Sequence, residues 1–393
     1  MCAPILTFLI ALLPRLSAGG LDSWEPVTVS GLGQTLVGVA TGDGWWAAVS
    51  SDGSVFRSQN GRDWQSWKVP HQTSTTRGVE LTGVAVGDGR IVAVGFQTSA
   101  NKCVIAGWPL NAATGTQTHY YAAPERLFAV TFARGKFTAV GEDHVVFDIA
   151  HDGTGTLLTE TLQDKSLRGI TFGGHPGRYV AIEVAANVVW VSDDRAQWTS
   201  TAIPGGQVSW EDVAYVGDRF LAVGLRGQAK NGVIAWSLDG LKWERLDPTG
   251  STYLYSVGGG AGQFFVTRAS SNGIAELRRG TEIQNLKHVS LPDITPVTDI
   301  AYNGFQFLAV GAGGAGWLSG EIHGFDYTRF RPHDEPALLD FVAALGQRHR
   351  LERSSNLKDW ELLLDVVGQG NLVEFKHPPR DLEHEFYRMN INP

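Results

Sequence analysis

The side chains with the types and spread to do chemistry are four carboxylates, Glu80, Glu125, Glu142 and Glu183, three guanidiniums, Arg126, Arg226 and Arg268, and Trp210, Tyr253 and His144. Two carboxyls flanking a glycosidic bond act as acid and base when they stand at either of the separations that glycoside hydrolases use. Glu125 and Glu142, with Glu80 or Glu183, are therefore the candidate catalytic groups. Arg126, Arg226, Arg268, His144 and the rings of Trp210 and Tyr253 suit binding instead, as charged and aromatic contacts for a sugar or a charged small molecule. The same residues equally fit a solvated rim with no chemistry. Glu142-Asp143-His144 holds metal-ligand types, but three adjacent residues in one loop make a poor coordination shell. No metal and no cofactor is expected.

What must position these residues is a repeat. An apolar run, a tight turn and a second apolar run ending in Ala-Val-Gly or similar recur from Leu36, Leu81, Leu127, Leu167, Trp210, Leu254 and Val297. Aligned on the third residue, the anchors are Gly38, Gly83, Ala129, Gly169, Asp212, Ser256 and Asp299, spaced 45, 46, 40, 43, 44 and 43 residues apart. A unit of that length holds four short strands and their turns, the size of one propeller blade. Gly-Asp-Gly, Val-Gly-Asp and Asn-Gly between the first two runs are hairpin signals. The reading is an all-β chain, a seven-bladed β-propeller over 21–324. The candidate site residues then sit in the loops that lead into each first strand or join second to third, at one mouth of the central channel.

Closure is also written in the sequence. The seventh unit ends near Gly320 without an outer strand, while Trp24 to Val29 precedes the first unit and has no blade of its own. The N-terminal strand is expected to pair with the seventh unit, covering an edge that would otherwise invite association.

Three units carry a sharper pattern: Ser58-Gln59-Asn60-Gly61-Arg62-Asp63-Trp64, Ser192-Asp193-Asp194-Arg195-Ala196-Gln197-Trp198 and Ser237-Leu238-Asp239-Gly240-Leu241-Lys242-Trp243. An Asp or Asn here accepts backbone N–H groups across a tight turn, glycine allows a left-handed residue, and Trp64, Trp198 and Trp243 pack on the blade. These segments resemble the Asp-box of the BNR or sialidase-like propeller superfamily, which includes sialidases, xyloglucanases, sortilin-type receptors and a photosystem II assembly factor. The resemblance implies fold rather than chemistry, because in that superfamily the box lies on the face away from the ligand. The Phe/Tyr-Arg-Ile-Pro tetrapeptide of sialidases is absent, and seven units exceed their six. Single-propeller size also departs from xyloglucanases and matches the assembly-factor type better.

Residues 337–393 depart from the repeat, after a linker at 325–336 containing two prolines. Strand-like runs alternate here, with Ala337 to Ala343 also compatible with a helix start. Leu351-Glu352-Arg353-Ser354-Ser355-Asn356-Leu357-Lys358-Asp359-Trp360, followed by Phe386-Tyr387-Arg388, resembles a short β-module at the ends of secreted planctomycete- and verrucomicrobia-type proteins. That resemblance implies extracellular display and no catalysis.

Pro4 to Pro14 is too short and apolar a run to cross a bilayer and reads as the h-region of a signal peptide over 1–18, although no Lys or Arg precedes it. Cleavage would leave Cys103 as the sole cysteine, a small buried apolar residue. The chain carries 32 Lys and Arg against 40 Asp and Glu with no basic stripe, which argues against a nucleic-acid partner. No later stretch is a transmembrane span. The leading expectation is a secreted, periplasmic or cell-surface propeller, non-catalytic, binding a protein or glycan at its channel face. The alternatives are a glycoside hydrolase or polysaccharide lyase using the channel carboxylates, and a protein assembly factor of the photosystem II stability-factor-like type.

Overall fold

In the computed structural model, each repeat forms one four-stranded antiparallel sheet, its strands paired in sequence order. The structure describes residues 19–393 except 32, 71–77, 114, 116, 123–125, 151, 160–165, 175–176, 228–230, 248–251, 271–274, 294, 323–328, 332–336, 344–347, 355–357, 368–370, 378–385 and 393. The proposed signal peptide therefore lies outside the described residues. The first strands of blades 1–7 are Leu36–Gly42, Glu80–Gly87, Leu127–Ala133, Leu167–Gly173, Ser209–Val216, Thr252–Gly260 and Val297–Tyr302. Each packs beside the first strands of its two neighbours, blade 7 against blade 1 included. The ring is closed, and the chain is a seven-bladed β-propeller.

Turn chemistry starts four of the sheets. Asp43-Gly44, Asp88-Gly89, Arg134-Gly135 and Ala261-Gly262 all hold both residues at positive φ, the two-residue turn whose twist matches paired strands. Second strands are then mostly apolar through their centres, as in Ile91 to Val94 and Phe307 to Val310, because each sheet is covered on both faces by its neighbours. The apolar core is accordingly divided into seven clusters, one between each pair of adjacent blades.

Blade 7 is completed by the chain's other end. Trp24–Thr28 pairs antiparallel with Ala315–Ser319 along five residues. Gly19–Asp22, a single helical turn, precedes it, and the indole of Trp24 donates to Leu21 O at 3.1 Å while meeting Phe265 edge-on at 6.2 Å.

The three Ser-to-Trp turns share one geometry. Asn60, Asp194 and Asp239 each accept two backbone N–H bonds through Oδ1, at 2.8 to 2.9 Å. Ser58, Ser192 and Ser237 accept a third from Gly61, Arg195 and Gly240, all at positive φ. The indoles of Trp64, Trp198 and Trp243 close each turn on a carbonyl three residues back. Arg195 holds the left-handed position without glycine, while its guanidinium lies 2.6 Å from Asp148.

The C-terminal region forms two three-stranded sheets. One joins Arg329–Arg331, Ala337–Ala343 and Asn371–His377; the other joins Glu361–Val367, Arg348–Ser354 and Phe386–Asn392. Ala337–Ala343 is a strand and not a helix, and the stretch read as linker supplies its partner Arg329–Arg331.

Candidate functional site

Every first strand breaks its pairing at the same place. The register with the second strand slips between Leu36 and Gly38, Leu81 and Gly83, Leu127 and Ala129, Leu167 and Gly169, Trp210 and Asp212, Leu254 and Ser256, and Val297 and Asp299. The extra residue at each bulge is re-aimed out of the ladder. These seven residues, Val37, Thr82, Phe128, Arg168, Glu211, Tyr255 and Thr298, all line one cavity of about 440 Å³ in the central channel. Glu80 and Ser51 stand at its mouth, and Val39, Val84, Val130 and Ile170 give it apolar walls. The strands alternate direction, so this mouth and the Ser-to-Trp turns lie at opposite ends of the blades.

On one side the wall is polar. Ser256 Oγ lies 2.8 Å from Asp212 Oδ2 and 2.7 Å from Asp299 Oδ1. Asp299 accepts from its own neighbour's backbone, Ile300 N, and from Val39 N of blade 1; Asp212 accepts from Val213 N and from Val257 N of blade 6. The two carboxyls thus clip blade 5 to blade 6 and blade 7 to blade 1 at the inner ring. Burial, with the neighbouring Asp212 charge added, pushes the Asp299 carboxyl up to about 7. Burial raises Asp212 as well. Protein surrounds both groups closely, yet each keeps part of its surface on the channel.

The rest of the mouth is aromatic and charged. Tyr255, 44% exposed, stacks on Tyr253 with ring centres 6.2 Å apart and planes 7° from parallel. Arg168 lies over the Phe128 ring at 5.2 Å and 3.6 Å from Glu211.

Of the residues singled out from sequence, Glu80 lines the cavity and Tyr253 backs the exposed Tyr255. Arg126 and Glu142 come together at 3.6 Å, the guanidinium lying over Phe96. Three expectations of position need correction. Trp210 is buried between blades 4 and 5, donating to Ala186 O, because it occupies the column filled elsewhere by Leu36, Leu81 and Leu127. Glu183 is also buried and accepts from the Trp190 indole at 2.9 Å, so it is spent inside its own blade. Arg226 and Arg268 pair with Asp247 and Glu276 at 2.7 and 2.9 Å and do not line the cavity. Glu125 and the side chain of His144 lie outside the described residues. Asp212, Ser256, Asp299, Arg168, Glu211 and Tyr255 were not singled out from sequence, although the anchor column carried a signal. It is Gly or Ala in blades 1–4 and turns to Asp, Ser, Asp in blades 5–7.

No protein-family model and no curated protein matches this chain. Solved structures do. A catalytically inactive variant of virginiamycin B lyase from Staphylococcus aureus, solved with quinupristin, superposes with a TM-score of 0.63 at 12% identity, covering 76% of this chain and 99% of that one. YCF48 bound to a D1 peptide gives 0.57 at 12% identity, covering 76% and 95%. The WD40 propeller of Doa1 gives 0.52 at 13%, covering 76% and 97%. At such identities the likeness shows the fold alone. No helix among the described residues is long and apolar enough to cross a membrane.

Proposed function

We propose that this chain is a secreted, non-catalytic propeller that binds a segment of a partner protein at the channel mouth. One observation carries the reading: all seven bulges deliver their side chains into one open cavity, with the Tyr253–Tyr255 stack exposed at its rim. An aromatic face of that kind offers contact area at low entropic cost. A propeller similar in fold is bound to a peptide, which is compatible with the reading and does not carry it. The glutamates considered for acid–base work give the catalytic reading little support, since Glu142 faces Arg126 and Glu183 is buried against Trp190. The turns at Ser58, Ser192 and Ser237 support membership of the Asp-box superfamily through their shared hydrogen bonding.

The test is capture from extracellular and periplasmic extracts by the full chain and by its Tyr255→Ala and Phe128→Ala double variant, alongside a glycan array. A partner held by the parent and released by the variant supports the reading. Equal retention by both proteins, or binding confined to the glycan array, overturns it.

A further inference from the structure

The chemistry of the cavity points to one kind of side chain. Its lining holds four carboxyl groups, Glu80, Glu211, Asp212 and Asp299, against one guanidinium, Arg168, which lies beside Glu211. Ser256 has a single hydroxyl hydrogen but sits at hydrogen-bond distance from both aspartates. Both contacts become hydrogen bonds when one carboxyl is the acid, with Asp299 Oδ1–H donating to Ser256 Oγ and the Ser256 hydrogen going to Asp212 Oδ2, or the chain running the other way. A single proton holds two carboxyls together at the cavity wall. The other walls are apolar, from Val37, Val39, Val84, Val130 and Ile170, and the faces of Phe128 and Tyr255 flank the opening. A volume of about 440 Å³, at about 30 Å³ per water, takes a long side chain with water to spare.

Those walls match a ligand with an apolar stem and a cationic tip. The exposed Tyr255 ring attracts a cation on its way in, the aliphatic walls cover the stem, and the carboxyls meet the charge. We propose that the cavity takes a lysine or arginine side chain of the partner segment, and that its arrival expels the proton shared by Asp212 and Asp299. The inference rests on the partner-binding reading of the mouth. The ammonium or guanidinium keeps its own protons, and the carboxyl proton leaves to solvent, so the pair becomes two carboxylates facing one cation. The ionisable groups facing the pair are Arg168, Glu211, Tyr255 and, across the cavity, Glu80.

The experiment titrates the full chain with an acetylated, amidated Gly-Gly-Lys-Gly-Gly peptide and with its arginine, norleucine and glutamate counterparts. Calorimetry at pH 6 in two buffers of different ionisation enthalpy counts the protons released. The lysine and arginine peptides should bind at least about tenfold more tightly than norleucine, with release of close to one proton. Glu80→Gln, at the mouth and outside the inter-blade clips, should weaken them severalfold without changing the proton count. Asp299→Asn, checked for folding by its melting temperature, should bind with no proton released. Equal binding of lysine and norleucine peptides overturns the inference, as does the same proton count in the parent and Asp299→Asn. A partner captured through Tyr255 and Phe128 whose affinity ignores its lysines and arginines removes this inference alone and leaves the partner-binding reading standing.

Discussion

Raising the pH from 4 to 8 should cost this propeller about 4 kcal/mol at one residue. Asp299 ionises at 3.8 in an unfolded chain and at about 7 in the fold, and that gap, at 1.36 kcal/mol per pH unit, sets the figure. The folded state holds the proton more tightly than the unfolded one. Its stabilising effect is therefore complete below about pH 4, declines as pH rises through 7, and is gone above. In structural terms, two ionised carboxyls then face Ser256, which can donate to only one, and the clips from blade 5 to 6 and from 7 to 1 repel each other. Asp299→Asn removes the titration. Whichever way its amide turns, the NH₂ meets a backbone donor, Ile300 N or Val39 N, at a cost of about 1–3 kcal/mol. Denaturant midpoints measured from pH 4 to 8 should therefore show a falling parent curve crossing a flatter variant curve, the variant being weaker in acid and at least equal at pH 8. Carboxylates away from the Asp212–Asp299 pair titrate in both proteins and cancel in the difference. Parallel curves would show that no proton is shared at the inner ring.

The outer closure should be as sensitive. Trp24→Ala removes an indole that is 8% exposed and packed on Phe265, which should cost about 3–5 kcal/mol and lower the single melting transition; deletion of residues 21–31 should do more, and a truncation that melts like the parent refutes the strand's role. Asp239→Ala takes the acceptor from Leu241 N and Lys242 N, so a loss of about 1–2 kcal/mol is expected by urea unfolding, with the channel mouth unaffected in peptide titration. Cys103 is fully buried, and burial pushes its thiol up to about 12, so a thiol reagent should modify it only on global unfolding; rapid labelling mapped to Cys103 in the native chain, with Cys2 replaced by serine, would contradict the packing.

The fold was legible because it is written seven times. Leu36 and its counterparts, the turn glycines and the second-strand apolar runs announce the same blade at each pass, and the unpaired Trp24 to Val29 segment announces its closure. The site was only partly legible, for a physical reason. Residue type suggested Trp210 as an aromatic platform, but its column is the inter-blade anchor, where any large apolar group is buried. The bulge itself left a trace that strict alternation conceals: Leu36 and Val39, Leu81 and Val84, and Leu127 and Val130 are all buried three residues apart, which a regular strand does not allow on one face. Reading that spacing would have turned Val37, Thr82 and Phe128 toward the channel. Asp212 and Asp299 were hidden differently, since a carboxyl in a glycine column looks like an exposed exception until the next blade's N–H groups are placed against it.

The bulge also explains why this ring can vary its chemistry without losing its shape. A residue removed from the strand ladder and turned to the channel is under fewer structural demands than the residue before it, which fills the core. The seven bulge positions hold Val, Thr, Phe, Arg, Glu, Tyr and Thr; the preceding positions hold Leu five times, with Trp and Val. Substitution should separate the two columns sharply. Phe128→Ala and Tyr255→Ala at the bulge should change unfolding free energy by roughly 0.5 kcal/mol or less, since each faces the cavity. Leu127→Ala and Leu254→Ala, one residue earlier and buried, should each cost about 2–5 kcal/mol. Thr82 and Thr298 test the boundary, because their hydroxyls donate to Leu127 O and Leu36 O of the next blade at 2.8 and 2.7 Å. Their replacement by valine should fall between the two classes, at about 1 kcal/mol. If bulge and anchor substitutions cost the same, the cavity side chains are scaffold, and the channel mouth loses its claim to be the place where this propeller's function varies.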